Sequence, residues 1–187
     1  MNIHDVYRPL FKYFRPKRMH QFTFDFKLTP NIRILDVGGT WYNLSLLSEQ
    51  PRLTILNLKL PAELSKRAAW LIADARHLPF RDGAFDIVYS NSVIEHLENR
   101  NNQRLFALEC CRVGQRFYVQ TPNRHFPIEP HLITPSIHWL PRRLQKQMLR
   151  NMTVWGLVTR PSQQRCDEFL QEICLLSKRD LQHLFPD

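Results

Sequence analysis

No stretch of this chain approaches the ~18 consecutive apolar residues that a membrane-spanning helix needs, which excludes a fold built on such a span. A secretory leader is not expected either, because Asp5, Arg8 and Lys12 interrupt any apolar signal core. Cysteine is sparse and irregular. Cys110, Cys111, Cys166 and Cys174 match neither a metal-ligand spacing nor a disulfide framework, so reduced thiols in the cytoplasm are expected. No internal repeat or low-complexity tract occurs. A full Gly-x-Gly-x-x-Gly is also missing, which argues against a plain dinucleotide-dependent dehydrogenase.

What is present suits one domain around a single core: 187 residues, of which 43% are hydrophobic. The net charge of +9 is partly gathered in Arg8, Lys12, Arg15, Lys17 and Arg18, and again in Arg142, Arg143, Lys146 and Arg150. Both groups alternate with apolar or aromatic residues. They read either as attraction to an anionic surface, such as membrane headgroups, or as the solvated faces of amphipathic helices. Residues 1–30 form an N-terminal amphipathic and aromatic segment that acts as a lid or packs on the main domain. Within it Val6, Leu10 and Phe14, with Tyr7 and Phe11 alongside, predict a short helix before Pro16. Phe22-Thr23-Phe24-Asp25-Phe26 then alternates as an extended segment does.

The most informative segment is Ile32-Arg33-Ile34-Leu35-Asp36-Val37-Gly38-Gly39-Thr40. Its apolar, β-branched run predicts a buried parallel strand. The acid, the two glycines and the threonine then predict a tight turn into a helix N-terminus, the way an open α/β sheet presents a nucleotide-like ligand. A helix is expected around residues 44–47, stopping at Pro51, followed by strands at 53–58, 70–73, 84–90 and 115–120 with a helix over 103–111. Strands alternating with helices predict an α/β fold with a doubly wound, mainly parallel sheet and helices on both faces.

Taken in order, these segments resemble the class I S-adenosylmethionine-dependent methyltransferases of the small-molecule type, with a type 11-like, Rossmann-like domain. The resemblance runs over residues 32–123, within a domain drawn at 31–187. Asp36-Val37-Gly38-Gly39-Thr40 is similar to the glycine-rich first motif around the amino-acid end of the cofactor. Asp74-Ala75-Arg76-His77-Leu78-Pro79-Phe80 resembles the Asp-Ala-x-x-Leu-Pro-Phe segment whose acid receives the adenine amino group. The run from Phe85 through Asn91 and Ser92 to Leu97 is similar to the fourth strand and its succeeding helix, on the cofactor's methionine side. The resemblance therefore implies S-adenosylmethionine as cofactor, met by Asp36, Gly38, Gly39, Thr40, Asn57, Leu58, Asp74, Ala75, Asn91 and Ser92.

Asn57 departs from the pattern. The family places Asp or Glu there to accept from the ribose hydroxyls with charge assistance. An amide can still accept, at an expected loss of about 1 kcal/mol. After the fifth strand, Thr121-Pro122-Asn123 leads into Pro127-Ile128-Glu129-Pro130-His131 and then His138-Trp139-Leu140-Pro141, which resembles a substrate-facing loop of these enzymes. It supplies His125 and His131 as candidate bases, with Glu95 after the fourth strand as a third catalytic candidate. No spacing here fits a metal site.

Ser90-Asn91-Ser92-Val93 stands where amino-directed DNA methyltransferases carry an Asn/Asp-Pro-Pro-aromatic motif, so a nucleic-acid substrate is disfavoured. A small or lipid-like acceptor fits better, with the apolar region from Val154 to Val158 as a wall and the basic and aromatic segments as a peripheral membrane contact. Helices are predicted over 141–152, 163–175 and from Ser177 to Pro186, where the family has its final antiparallel strand pair. Five strands are therefore expected, with the fifth exposing an edge open to a second copy of the chain. The alternative to an enzyme is a catalytically inactive binding or partner module of the same fold, suggested by Asn57 and the missing pair.

Overall fold

A computed structural model of the chain describes residues 3–186, with side-chain surroundings from residue 12 onward. Five parallel strands, β1 (Arg33–Val37), β2 (Arg52–Asn57), β3 (Ala68–Ile72), β4 (Phe85–Asn91) and β5 (Gly114–Gln120), form one sheet in the order β3-β2-β1-β4-β5. Leu35 sits between Thr54 on one side and Val88 on the other. The chain winds outward from β1 to β3 and then crosses to β4 and β5. The order therefore reverses between β1 and β4, and a crevice opens at their carboxyl ends, where such sheets bind ligands.

Successive residues of the central strands feed opposite faces. Leu35, Val37 and Val88 face the helix α3 (Arg100–Val113) through Phe106 and Cys110, and also meet Leu176 and Phe185. Ile34, Ile55, Ile87 and Tyr89 face α1 (Ile3–Phe26) through Met19 and Phe22. Burial on both faces explains why β1 and β4 read as continuous apolar runs.

The N-terminal segment differs from its sequence reading. It is one helix that runs through Pro16 to Phe26, with no extended stretch. Phe22 and Phe26 lie four residues apart and so share a helical face, with rings 4.9 Å apart. Phe22 is fully buried, 5.2 Å from the Tyr89 ring and 5.1 Å from that of Tyr118, while Phe24 remains 74% exposed. Burying Phe22 and Met19 contributes about 1.5–3 kcal/mol each, enough to offset the ~3 kcal/mol that an interior proline costs a helix. The helix closes in a Schellman turn at Lys27 (φ 50°), with Leu28 N–H bonded to the Thr23 carbonyl. The side chains of Val6, Tyr7, Leu10 and Phe11 lie outside the described residues.

The helix after the glycine turn, α2 (Trp41–Leu44), lies earlier than expected and ends where the predicted helix around residues 44–47 would begin. Ser45 ends it by donating its hydroxyl to the Tyr42 carbonyl, a local bond that competes with further helix. Beyond β5, a two-residue pair β6 (Ile128–Glu129) and β7 (Thr134–Pro135) shapes the loop that carries the histidines. Then come α4 (Arg142–Met152), α5 (Val154–Thr159), α6 (Gln163–Glu172) and α7 (Lys178–Leu184). Leu132, Ile137, Leu149, Cys166 and Phe169 form a further core beneath that loop. Ser177 and Asp180 make a capping box at the start of α7, which lays Phe185 on Phe117 of β5. Among the described residues no helix is long and apolar enough to cross a membrane.

Candidate active site at the switch point

The turn after β1 is built by internal packing. Gly38 takes φ 74° and donates its N–H to the Leu56 carbonyl at 2.7 Å. A Cβ there would stand 2.6 Å from Val93, and one on Gly39 would fall onto the Asp36 carboxylate. Both glycines are thus required by their protein neighbours, a reason the motif alone does not reveal. Asp36 itself is 1% exposed, and neither carboxylate oxygen has a hydrogen-bond partner. Burial alone pushes its carboxyl well above the usual carboxylate range.

Asn57, at the end of β2, uses its amide on the turn. Nδ2 donates to the carbonyls of Gly38 (3.2 Å) and Gly39 (3.0 Å), while Oδ1 accepts from the Leu58 N–H at 2.8 Å. The Leu58 side chain is exposed. Thr40, at the entry to α2, makes no side-chain cap. Beyond β3, Asp74 is clasped by Arg76 through two guanidinium nitrogens and the backbone N–H, at 2.6–3.0 Å, and these bonds hold its carboxyl below the ordinary range. Ala75 is buried beside it. Beyond β4, Asn91 leaves a buried Oδ1 without a partner, and Ser92 adopts φ 58°. The switch point thus gathers Asp36, Gly38, Gly39 and Asn57 in direct contact, with Asn91 and Ser92 at the end of the neighbouring strand.

Of the three catalytic candidates, the fold brings Glu95 and His131 together and leaves His125 apart. Glu95 lies in a single 3-10 turn (Ile94–His96) and is fully buried. Its Oε2 accepts from the Thr121 hydroxyl at 2.8 Å, while Oε1 has no partner. Burial raises its pKa. His131, between β6 and β7, has its Nδ1 2.6 Å from the buried Glu129, whose other oxygen accepts the Leu132 N–H. Burial would lower the His131 pKa, but the hydrogen bond and charge of Glu129, with the charge of Glu95, carry it above the usual histidine value. The His96 ring stands edge-on to that of His131, with centroids 5.3 Å apart, and burial with the neighbouring imidazole lowers its pKa. His125 is exposed and lines a cavity of about 470 Å³ together with Arg124, Glu129, His138, Trp139 and Phe169. Glu129 and His96 enter this group through the fold and are not among the three catalytic candidates that the sequence offers. The Glu-x-His spacing of Glu129 and His131 was the available signal for the first.

Residues 35–116 match the methyltransferase domain family. Over that segment the chain is similar to the class I methyltransferases. Its α/β sheet, in the order 3-2-1-4-5, is the Rossmann-like sheet of that class. Solved structures share the fold of this chain at low identity. A putative methyltransferase from an antibiotic biosynthesis pathway of Anabaena variabilis superposes with TM-score 0.54 at 18% identity, covering 73% of this chain and 60% of that one. The YcgJ protein of Bacillus subtilis gives 0.53 at 14%, covering 89% and 64%. A chain from the complex of a Haloferax volcanii putative methyltransferase with its Trm112 activator gives 0.52 at 15%, covering 93% and 71%. The chain thus spans 60–71% of the length of these structures. No curated protein matches it by sequence. The methyltransferase match takes in Asp36, Asn57, Asp74, Asn91 and Glu95, and it ends before the loop that supplies Glu129 and His131.

Proposed function

We propose that this chain transfers a methyl group from S-adenosylmethionine to a small or lipid-like acceptor. One observation carries the reading: a fully buried Asp36 carboxylate with no partner, directly beneath the glycine turn at the switch point. An unpaired buried carboxylate is costly, and a cationic ammonium is the ligand group that would relieve it. The backbone of the turn from Gly38 to Thr40 is suited to meet the carboxylate of the same ligand, with Asn91 presenting a further free acceptor nearby. Asp74, clasped by Arg76, marks the adenine end.

The cofactor supplies an electrophilic methyl on a sulfonium, which passes to a nucleophilic acceptor atom while the broken bond's electron pair stays on sulfur. Such transfer needs mainly proximity and in-line geometry, so the chain's task is to hold the two partners. The buried Glu95–His131 group, on the β4 side of the switch point, receives the polar end of the acceptor. Apolar groups around the adjoining cavity, among them Leu132, Trp139 and Phe169, take its body. The basic residues Arg142, Arg143 and Arg150 of α4, with exposed Leu144 and Met152, support an acceptor that resides at a membrane surface.

Calorimetric titration of the chain with S-adenosylmethionine and with S-adenosylhomocysteine tests this. Micromolar binding of both, abolished in Asp36→Ala, is expected, followed by methyl transfer in a screen of small and lipid-like acceptors. Absence of binding at millimolar ligand by folded protein would overturn it. Binding without transfer to any acceptor would favour the inactive-module reading that Asn57 suggests.

A further inference from the structure

We infer that Glu95, His96 and His131 form a binding site for one divalent first-row transition-metal ion. Each offers a ligand atom, and these atoms lie within 4.8 Å of one another. Metal–ligand bonds of about 2.0–2.2 Å place ligands roughly 3–3.5 Å apart, a gap that modest side-chain rotation closes. Glu95 and His96 come from the turn after β4, and His131 comes from the loop between β6 and β7. No run of sequence shows the set.

Two further observations point to a cation. Glu95 has no exposed surface, and one of its oxygens is satisfied by Thr121 while Oε1 is left bare. A buried carboxylate oxygen without a donor is the environment a bound ion relieves. Independently, Glu129 holds Nδ1 of His131 at 2.6 Å and is itself anchored by the Leu132 N–H. That fixes the ring and leaves Nε2 as its ligand atom, the carboxylate–histidine–metal arrangement typical of metal sites. Two imidazoles and one carboxylate suit first-row transition ions and leave coordination positions open.

The use of the site rests on the methyl-transfer reading; ion binding does not. Glu129, which holds His131, also lines the cavity of about 470 Å³, so the site stands beside a space suited to an acceptor, while none of the three ligands itself lines that space. A hydroxyl bound to the ion loses its proton to water more readily, and its oxygen then bonds to the methyl carbon as the carbon–sulfur bond breaks. The site thus selects hydroxyl-bearing acceptors.

The test is titration of the full chain, stripped with a chelator, with Co²⁺ alone, read by its visible absorption and by elemental analysis. One ion per chain is expected, with affinity falling on the order of 100-fold in Glu95→Gln and His96→Gln, and 10–100-fold in Glu129→Gln. Circular dichroism establishes folding, and the solvent-accessible His96 provides a variant that keeps the buried Glu95 intact. No saturable binding by folded wild type, or wild-type affinity in His96→Gln and Glu95→Gln, would overturn the site. S-adenosylmethionine titration of the metal-free chain is read separately. Its failure beside normal Co²⁺ binding removes the methyl-transfer reading and upholds the metal site.

Discussion

Replacing Asn57 by Asp, the family's own choice at that position, separates two opposed expectations. From the sequence, restoring a charged acceptor should improve ribose binding by about 1 kcal/mol, or up to roughly tenfold in affinity. The structure reverses this. The Asn57 amide donates to the carbonyls of Gly38 and Gly39, and the Leu58 N–H donating to Oδ1 fixes which end of the side chain faces the turn. A carboxylate has no hydrogen to donate, so both bonds are lost and a negative oxygen faces two carbonyl oxygens. At about 0.5–1.5 kcal/mol per net hydrogen bond, Asn57→Asp should cost ~1–3 kcal/mol of stability before repulsion is counted. For a chain of this size, that lowers Tm by roughly 2–12 °C. Urea denaturation with calorimetric titration of S-adenosylmethionine measures both quantities. Loss of stability with unchanged or weaker binding is expected. A variant as stable as wild type that binds tenfold tighter would show that the amide does not hold the turn.

Three other outcomes rest on the same geometry. The Asp36 carboxyl has a folded pKa above its unfolded value, so the folded chain loses stability as pH rises from the unfolded value through the folded one. Asp36→Asn removes that loss, and its stability relative to wild type should climb as pH rises above the ordinary carboxylate range in urea titrations; a pH-independent difference would refute the assignment. Gly39→Ala drives a methyl onto the Asp36 carboxylate and should destabilise by about 1–3 kcal/mol, with an unshifted thermal midpoint counting against that packing. Gln103, fully buried, donates to the Ile94 and Cys174 carbonyls and thereby ties the Glu95 turn to the segment after α6. Gln103→Leu should cost about 1–3 kcal/mol through those orphaned carbonyls, measured by denaturant midpoint.

The sheet was legible because its signals are local. The run from Ile32 to Val37 and the segments ending at Asn57 and Asn91 each declare a strand through burial on both faces, and the turns between them carry their own chemistry. The opening of the last helix at Ser177 was equally visible in a few residues. Local rules failed where distant packing decided the outcome. Phe22, Phe24 and Phe26 alternate like a strand, yet burial of Phe22 against Tyr89 and Tyr118 makes them helical. Asn57 looks like a weakened ligand contact until the carbonyls of the glycine turn are seen beside it.

The same division runs through the site. By itself the sequence determined the strand segments, the glycine turn and the acid before it, since an apolar run that breaks into two glycines is written in consecutive residues. Only the tertiary structure decided that Asp36 stands unpaired, that Arg76 occupies Asp74, and that Glu95, His96, Glu129 and His131 meet while His125 does not. Hydrogen-bond satisfaction and desolvation belong to the space around a group, and that space is assembled by strands and loops far apart in the chain.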